Sequence, residues 1–245
     1  MKKLLISILS IFIIFTFISC AAVTSSNDFP KNIRESFVKV EKFIRIKSCI
    51  NDAGKELCKY DYGMATGSGV VVDQNNDGNY ILTAAHVCDG SKYAPPDKSV
   101  KEILVTMQIL DLKLKRFDAE IVNMDHEIDA CMMYVVGMKE KAMNVAKYDP
   151  EPGDKAYNVA APVGIMYENV VPLIDGYYMG IRGKSSLYSI PATGGSSGSP
   201  VFNEGGNLIG MIHSVNRYFP VISVSLRTDD LKKFIWESVK KAESK

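Results

Sequence analysis

Ser197 lies in Thr193-Gly194-Gly195-Ser196-Ser197-Gly198-Ser199-Pro200, a serine cluster bracketed by glycines. A serine hydroxyl is almost wholly protonated at neutral pH. It attacks poorly unless a nearby base takes its proton and a third group orients that base. His86, in Leu82-Thr83-Ala84-Ala85-His86-Val87, is the candidate base, and Asp129, in Glu127-Ile128-Asp129-Ala130, is the candidate orienting carboxylate. A tight glycine-rich turn adds backbone N–H groups able to hold a developing oxyanion. A competing registration, Gly194-x-Ser196-x-Gly198, has the form of a nucleophile elbow. That arrangement needs Asp and His after the serine on a parallel sheet with interleaved helices, and the residues that follow read as strands and one helix, not as that fold.

The three residues occur in the order His86, Asp129, Ser197. With Gly67-Ser68-Gly69-Val70-Val71-Val72, Ile81 to His86, Asp125 to Ala130 and Gly195-x-Ser197-Gly198-Ser199-Pro200, that order resembles the trypsin/chymotrypsin-like serine peptidases. The resemblance runs from about Phe37 to the C-terminus, and the stretch Thr193 to Glu204 is similar to the serine loop of bacterial glutamyl endopeptidases. It implies an all-β fold of two packed six-stranded antiparallel β-barrels with the site between them. It also implies a serine endopeptidase acting through a His86-Asp129-Ser197 triad and an acyl-enzyme, with an oxyanion hole from the N–H groups of Gly195 and Ser197. Substrate-binding residues would be Ala192, Thr193, Gly194, His213, Ser214 and Val215, the substrate a polypeptide, and neither metal nor organic cofactor would be needed. A catalytically silent module and an ester hydrolase using the same triad are the alternatives.

The sequence departs from these patterns in three places. Ser196 stands where zymogens of this type carry an acid, so activation through an ion pair at that position lapses. In glutamyl endopeptidases a histidine after a Gly-Ile pair meets the acidic substrate side chain; here Gly210-Met211-Ile212-His213 has an additional residue, which on a strand turns the side chain to the other face. Ala192 replaces a threonine those enzymes use. Acidic specificity and a histidine lining the cleft without that contact both remain open for His213.

The elements that must position these residues are short strands. Val38, Val40, Ile44 and Ile46 alternate with Lys39, Glu41, Arg45 and Lys47, the period of a half-buried strand. Val70–Val72, Ile103–Leu110, Ala119–Val122, Met132–Val136, Tyr157–Ala161, Leu208–Ile212 and Val221–Leu226 continue the series. Leu231, Phe234, Ile235 and Val239 recur at helical spacing, with Thr228 or Asp229 expected to cap that terminal helix. The domain reading is a first barrel over 36–148 and a second barrel with the helix over 149–245, with Asp149-Pro150-Glu151-Pro152-Gly153 as linker. Asp73-x-Asn75-x-Asp77-Gly78 imitates a calcium loop, but Ala84 occupies the position of the bidentate glutamate, so a hairpin turn is expected.

The 29 basic and 28 acidic residues nearly cancel, which gives no reason to expect nucleic acid as partner. A monomer is expected. Lys2-Lys3 followed by the apolar run Leu4 to Ile18 reads as an export signal over 1–20. Phe17-Ile18-Ser19-Cys20 resembles a bacterial lipobox, which would leave lipid on Cys20 as the only membrane attachment, with 21–35 as tether on a periplasmic membrane face; cleavage after Ala21 and plain secretion is the alternative. Exported chains form disulfides. Cys49 and Cys58 flank Asn51-Asp52-Ala53-Gly54 and suit a hairpin staple, whereas Cys88 and Cys131 read equally as a pair or as buried thiols.

Overall fold

The computed structural model describes residues 33–53, 55–90 and 99–244, so the export segment, Cys20 and most of the tether lie outside the described residues. Six strands, β1 (Phe37–Asp52), β2 (Lys55–Gln74), β3 (Gly78–Thr83), β4 (Val100–Leu110), β5 (Arg116–Asp125) and β6 (Ala130–Val136), close in the order β1-β2-β3-β6-β5-β4. Six more, β7 (Lys155–Val159), β8 (Leu173–Arg182), β9 (Ser185–Tyr188), β10 (Ser199–Phe202), β11 (Leu208–Val215) and β12 (Ser223–Ser225), close as β10-β11-β12-β9-β8-β7. Every pairing between these twelve strands is antiparallel. A short helix α1 (Ala85–Cys88) follows β3, and α2 (Thr228–Glu243) follows β12. Closure removes the free edges an open sheet would leave along paired lengths.

Alternation along β1 places Val38, Val40 and Ile44 in the core, but Lys42 shares their parity and is also buried. Its ammonium is satisfied inside, donating to the carbonyls of His86 at 3.2 Å and Asp89 at 2.7 Å. The turn from β2 to β3 is the expected hairpin: Asn75 Oδ1 accepts the N–H groups of Asp77 and Gly78, both at 3.0 Å. β8 is the strand least visible in sequence, because Gly176 and Gly180 interrupt its apolar pattern.

The connection from β6 to β7 ties the barrels together. Met143 N–H bonds Val71 of the first barrel, and Asn144 and Ala146 exchange backbone bonds with Leu208 of the second. Helix α2 buries Leu231 and Phe234, and Ser238 accepts from Asn123 of β5 at 3.1 Å, so the helix also packs on the first barrel. Neither Thr228 nor Asp229 caps it. Asp149, from the expected linker, takes the Thr228 N–H at 3.1 Å, while the Thr228 hydroxyl turns inward to the Ile209 carbonyl. Burial would raise the Asp149 carboxyl, yet hydrogen bonds from Thr228 and Arg227 outweigh it and hold it below the ordinary carboxylate value.

Two disulfides lock the first barrel. Cys49 and Cys58 are direct cross-strand partners on β1 and β2 and are joined. Cys88, at the end of α1, is joined to Cys131 at the start of β6, which resolves the two readings of that pair.

Candidate active site

β3 delivers the chain into α1, whose second residue is His86. Asp129 occupies the turn between β5 and β6 at φ 56°, a left-handed conformation that a short polar side chain tolerates. That turn wraps His86 from several directions. The Asp129 carbonyl accepts the Ala85 N–H at 3.1 Å, Oδ1 accepts the His86 N–H at 2.9 Å, and Oδ2 lies 2.8 Å from His86 Nδ1. Burial pushes the Asp129 carboxyl upward, but the bonds from the His86 ring and backbone, with the charges of His86 and His213, leave it below the ordinary value. An ionised carboxylate accepts only, so Nδ1 must carry the ring proton, leaving Nε2 its lone pair. The neighbouring acids differ: Asp125 accepts the N–H of Glu127 within its own turn, and Glu127 pairs with the exposed Lys184.

Ser197 is held from both barrels. On one side the Gly198 N–H bonds the Ile212 carbonyl of β11 at 2.7 Å; on the other the Ser197 carbonyl accepts the Ser68 N–H of β2 at 2.8 Å. Ser68 is fully buried and links three further groups. Its hydroxyl donates to the Gly195 carbonyl at 2.8 Å and accepts from the Ala161 N–H at 2.9 Å, while its own carbonyl takes the Thr83 hydroxyl at 2.8 Å. The barrels approach so closely here that a Cβ on Gly198, at φ 86°, would lie 2.1 Å from the Ser68 carbonyl oxygen. Gly67 is equally confined, its Cβ position facing the Val87 side chain and the Ser197 carbonyl. β2 is thus the strip on which the His86 and Ser197 segments meet. Ser68 carried no signal of its own in the sequence beyond its place between two glycines.

The peptide between Gly194 and Gly195 is oriented from outside. Its carbonyl accepts the Val163 N–H at 2.6 Å, and no peptide among the described residues is cis. The two polar ends of a trans peptide point in opposite directions. The Gly195 N–H therefore points away from Val163, and among the described residues no hydrogen bond takes up the N–H of Gly195 or of Ser197. Val163 holds its position at φ 47°, ψ 27°, a costly conformation for a β-branched residue.

Ala192, Thr193, Gly194, His213, Ser214 and Val215 line one cavity of about 190 Å³ together with Ser196, Ser197 and Ile212. Ser196 is buried, its hydroxyl accepting the Thr193 N–H at 3.3 Å and tightening the turn. β11 has a register shift between Ile212 and Ser214 against β12, so His213 sits at an irregularity. Its Nδ1 lies 3.7 Å from Asp129 Oδ2, on the carboxylate already held by His86. Burial lowers the His213 imidazole, Asp129 partly opposing and His86 adding to the shift, so at neutral pH the contact is not an ion pair. Ligand atoms close enough for a metal occur, among the described residues, at Cys49, Glu56 and Cys58, whose two sulfurs are already bonded to each other.

Two closed six-stranded barrels, joined where a buried serine hydroxyl and a glycine-bracketed loop meet beside a histidine–aspartate pair, define the trypsin-like peptidase class. The chain belongs to that family: a family model described as trypsin-like peptidase domain matches residues 67–211. It is also similar to glutamyl endopeptidases of Staphylococcus epidermidis and of its strain ATCC 12228, each 29% identical over 171 residues, covering 62% of this chain and 55% of the relative. The chain thus matches about half the length of these relatives. The two disulfides are consistent with export.

Proposed function

We propose that the protein is an exported serine endopeptidase in which Ser197 attacks the scissile carbonyl. The observation that carries this reading is the His86–Asp129 pair, with Nδ1 bonded to the carboxylate and Nε2 left as base. Nε2 takes the Ser197 proton as Oγ bonds the carbonyl carbon; Asp129 steadies the imidazolium. The tetrahedral oxyanion is received by the N–H groups of Gly195 and Ser197, a type of interaction whose loss typically costs about 3–4 kcal/mol of barrier. Protonated His86 then gives its proton to the leaving amine, the acyl-enzyme forms, and water reverses the sequence. The acyl side of the substrate pairs with the end of β11 through His213, Ser214 and Val215.

The relatives are named for glutamyl specificity. Here His213 faces Asp129, and the other cavity residues supply no cationic side chain, so a buried carboxylate would lack a partner. Uncharged side chains suit the cavity better. The test is fluorophosphonate labelling followed by a peptide-cleavage profile. Labelling and turnover should vanish in Ser197→Ala and persist in Ser196→Ala; the opposite pattern overturns the assignment. Cys20 lipidation belongs to the same proposal. Two acyl chains give stable membrane attachment where one is marginal. Intact mass and detergent partitioning of wild type against Cys20→Ser test it, and a water-soluble product starting at Ala22 would point to plain secretion.

A further inference from the structure

Every residue of β2 from Lys55 to Met64 is exposed. One side of this stretch pairs with β1 without a register shift, while β3 joins the other side only from Val70 onward. Two bonds fix which backbone groups face the open side. The Cys49 N–H goes to the Ser99 carbonyl at 2.8 Å, on the β4 side of β1, so its cross-strand partner Cys58 turns its own N–H and carbonyl away from β1. Further along, the Ser68 N–H also leaves β1, for the Ser197 carbonyl. A strand has period two, so Glu56, Cys58, Tyr60 and Tyr62 all present both groups outward. Among the described residues no backbone bond reaches them from that side. Folded chains blunt such an edge with proline, a bulge or a covering segment, because it otherwise pairs with another chain. Lys55 to Met64 holds no proline, and its pairing with β1 has no bulge.

The charges on this edge complement a copy of itself. In a two-fold antiparallel pairing each contact occurs twice, and bonding needs an outward residue opposite an outward residue, so the axis must pass at a residue and not between two. With the axis at Leu57, Lys55 would face Lys59 of the copy. With the axis at Lys59 or at Asp61, that residue would face its own equivalent. Like charges directly opposite are destabilising. With the axis at Tyr60, Lys59 would face Asp61, but the turn of the copy would arrive beside Thr66. Gly164 already lies against the Thr66 side chain there, where the strand enters the seam between the barrels. With the axis at Cys58, Lys55 faces Asp61 on both sides, and the turn of the copy stops beside Tyr62, clear of the seam. We infer that the β2 edge from Lys55 to Asp61 pairs with the same edge of a second copy of this chain, centred on Cys58, in place of the monomer expected from the sequence. Glu56, Cys58 and Tyr60 supply the backbone bonds. Asp61 is already drawn to that edge by Lys59, at 3.3 Å. Leu57 lies diagonal to Leu57 of the copy and opposite Ile50 of its own β1, residues that are 45% and 61% exposed in the single chain. β4 accompanies β1 no further than Ser48, so the hairpin end is two-stranded, which is marginal in water, and the copy supplies the strands it lacks.

The test is the association state, read by sedimentation equilibrium on the protein carrying Cys20→Ser and Ser197→Ala, so that neither lipid nor self-cleavage alters its mass. A dimer should form with a dissociation constant on the order of 10 μM, as suits an interface at the small end of the range. Tyr60→Pro removes one outward N–H and no bond to β1, a place where a strand tolerates proline. It should weaken association roughly tenfold or more while far-ultraviolet circular dichroism and the thermal midpoint hold. Asp61→Lys should weaken it likewise. Adding Lys55→Asp to Asp61→Lys should restore the dimer, and adding Lys59→Asp instead should not; this exchange decides the matter even where Tyr60→Pro fails to fold. A protein still monomeric at about 100 μM overturns the inference. So does a dimer indifferent to Asp61→Lys, or one rescued by Lys59→Asp and not by Lys55→Asp.

Discussion

A single hydroxyl at Ser68 satisfies the Gly195 carbonyl and the Ala161 N–H at once, so Ser68→Ala leaves two buried groups without partners. Each orphaned group costs about 1–3 kcal/mol. We expect Ser68→Ala to lower the denaturation midpoint and to reduce kcat more than it raises KM, because the carbonyl it releases belongs to Gly195, whose N–H is the proposed oxyanion donor. Unchanged kcat in a correspondingly destabilised protein would refute the coupling. Val163 works through its backbone in the same way. At φ 47° a β-branched residue is strained by about 1–3 kcal/mol, and glycine would relieve that strain. Because Val163 is 71% exposed, little packing is lost. Val163→Gly should raise the thermal midpoint by a few degrees and keep activity, and a lowered midpoint would show that the conformation is not strained. His213 gives a pH signature. Its folded pKa is depressed, mainly by burial, so below the unfolded value near 6.5 the unfolded chain binds more protons and stability falls as pH falls. The thermal midpoint of His213→Gln should decline less between pH 7.5 and 5 than that of wild type; parallel declines would remove His213 as the cause. His86, Asp129 and Ser197 stand out in the sequence because their side-chain chemistry demands company. Ser68 and Val163 do not, since what they hold is main chain, which leaves no mark on residue type.

Among the elements, the Cys88–Cys131 bridge links the helix that carries His86 to the strand that follows Asp129. It closes 43 residues of chain, against nine for Cys49–Cys58. On a loop-closure account the first contributes about 4 kcal/mol and the second about 2.6 kcal/mol. Replacing Cys88 and Cys131 by serine should cost more stability than replacing Cys49 and Cys58, and should also slow turnover by loosening the His86–Asp129 geometry. Denaturant midpoints and kcat on a short substrate measure both effects, and equal losses in the two double variants would contradict the ranking. Strand identity was legible wherever apolar and polar residues alternate, as along β1. That alternation is absent at β8, where Gly176 and Gly180 break the pattern, and at the four-residue β9; pairing with β7 and β12 supplies the order that local sequence does not. The α2 cap departs from the local expectation for a related reason: Asp149, remote in sequence, takes the Thr228 N–H in place of the local candidates Thr228 and Asp229.

At the scale of the whole molecule, two-barrel closure was legible only through motif order and resemblance, because no local pattern states which strands close on which. The seam between the barrels was not legible at all. It is made of groups that meet only after both barrels exist: the Ser68 N–H and hydroxyl of the first barrel with the Ser197 and Gly195 carbonyls of the second. Domains of this size tend to fold as units before they associate. On the proposed reading, recovery of reactivity at Ser197 therefore times the joining of the halves, not the formation of either one. After dilution from denaturant with both disulfides intact, far-ultraviolet circular dichroism should return first and fluorophosphonate labelling later, as a distinct slower phase. Simultaneous return of the two signals would mean that the barrels form and dock in one step. With the predicted lag, freshly folded chains pass through an interval in which each half is built and Ser197 is not yet set against His86, so on the proposed peptidase reading the seam would act as a built-in delay on the first hydrolytic event.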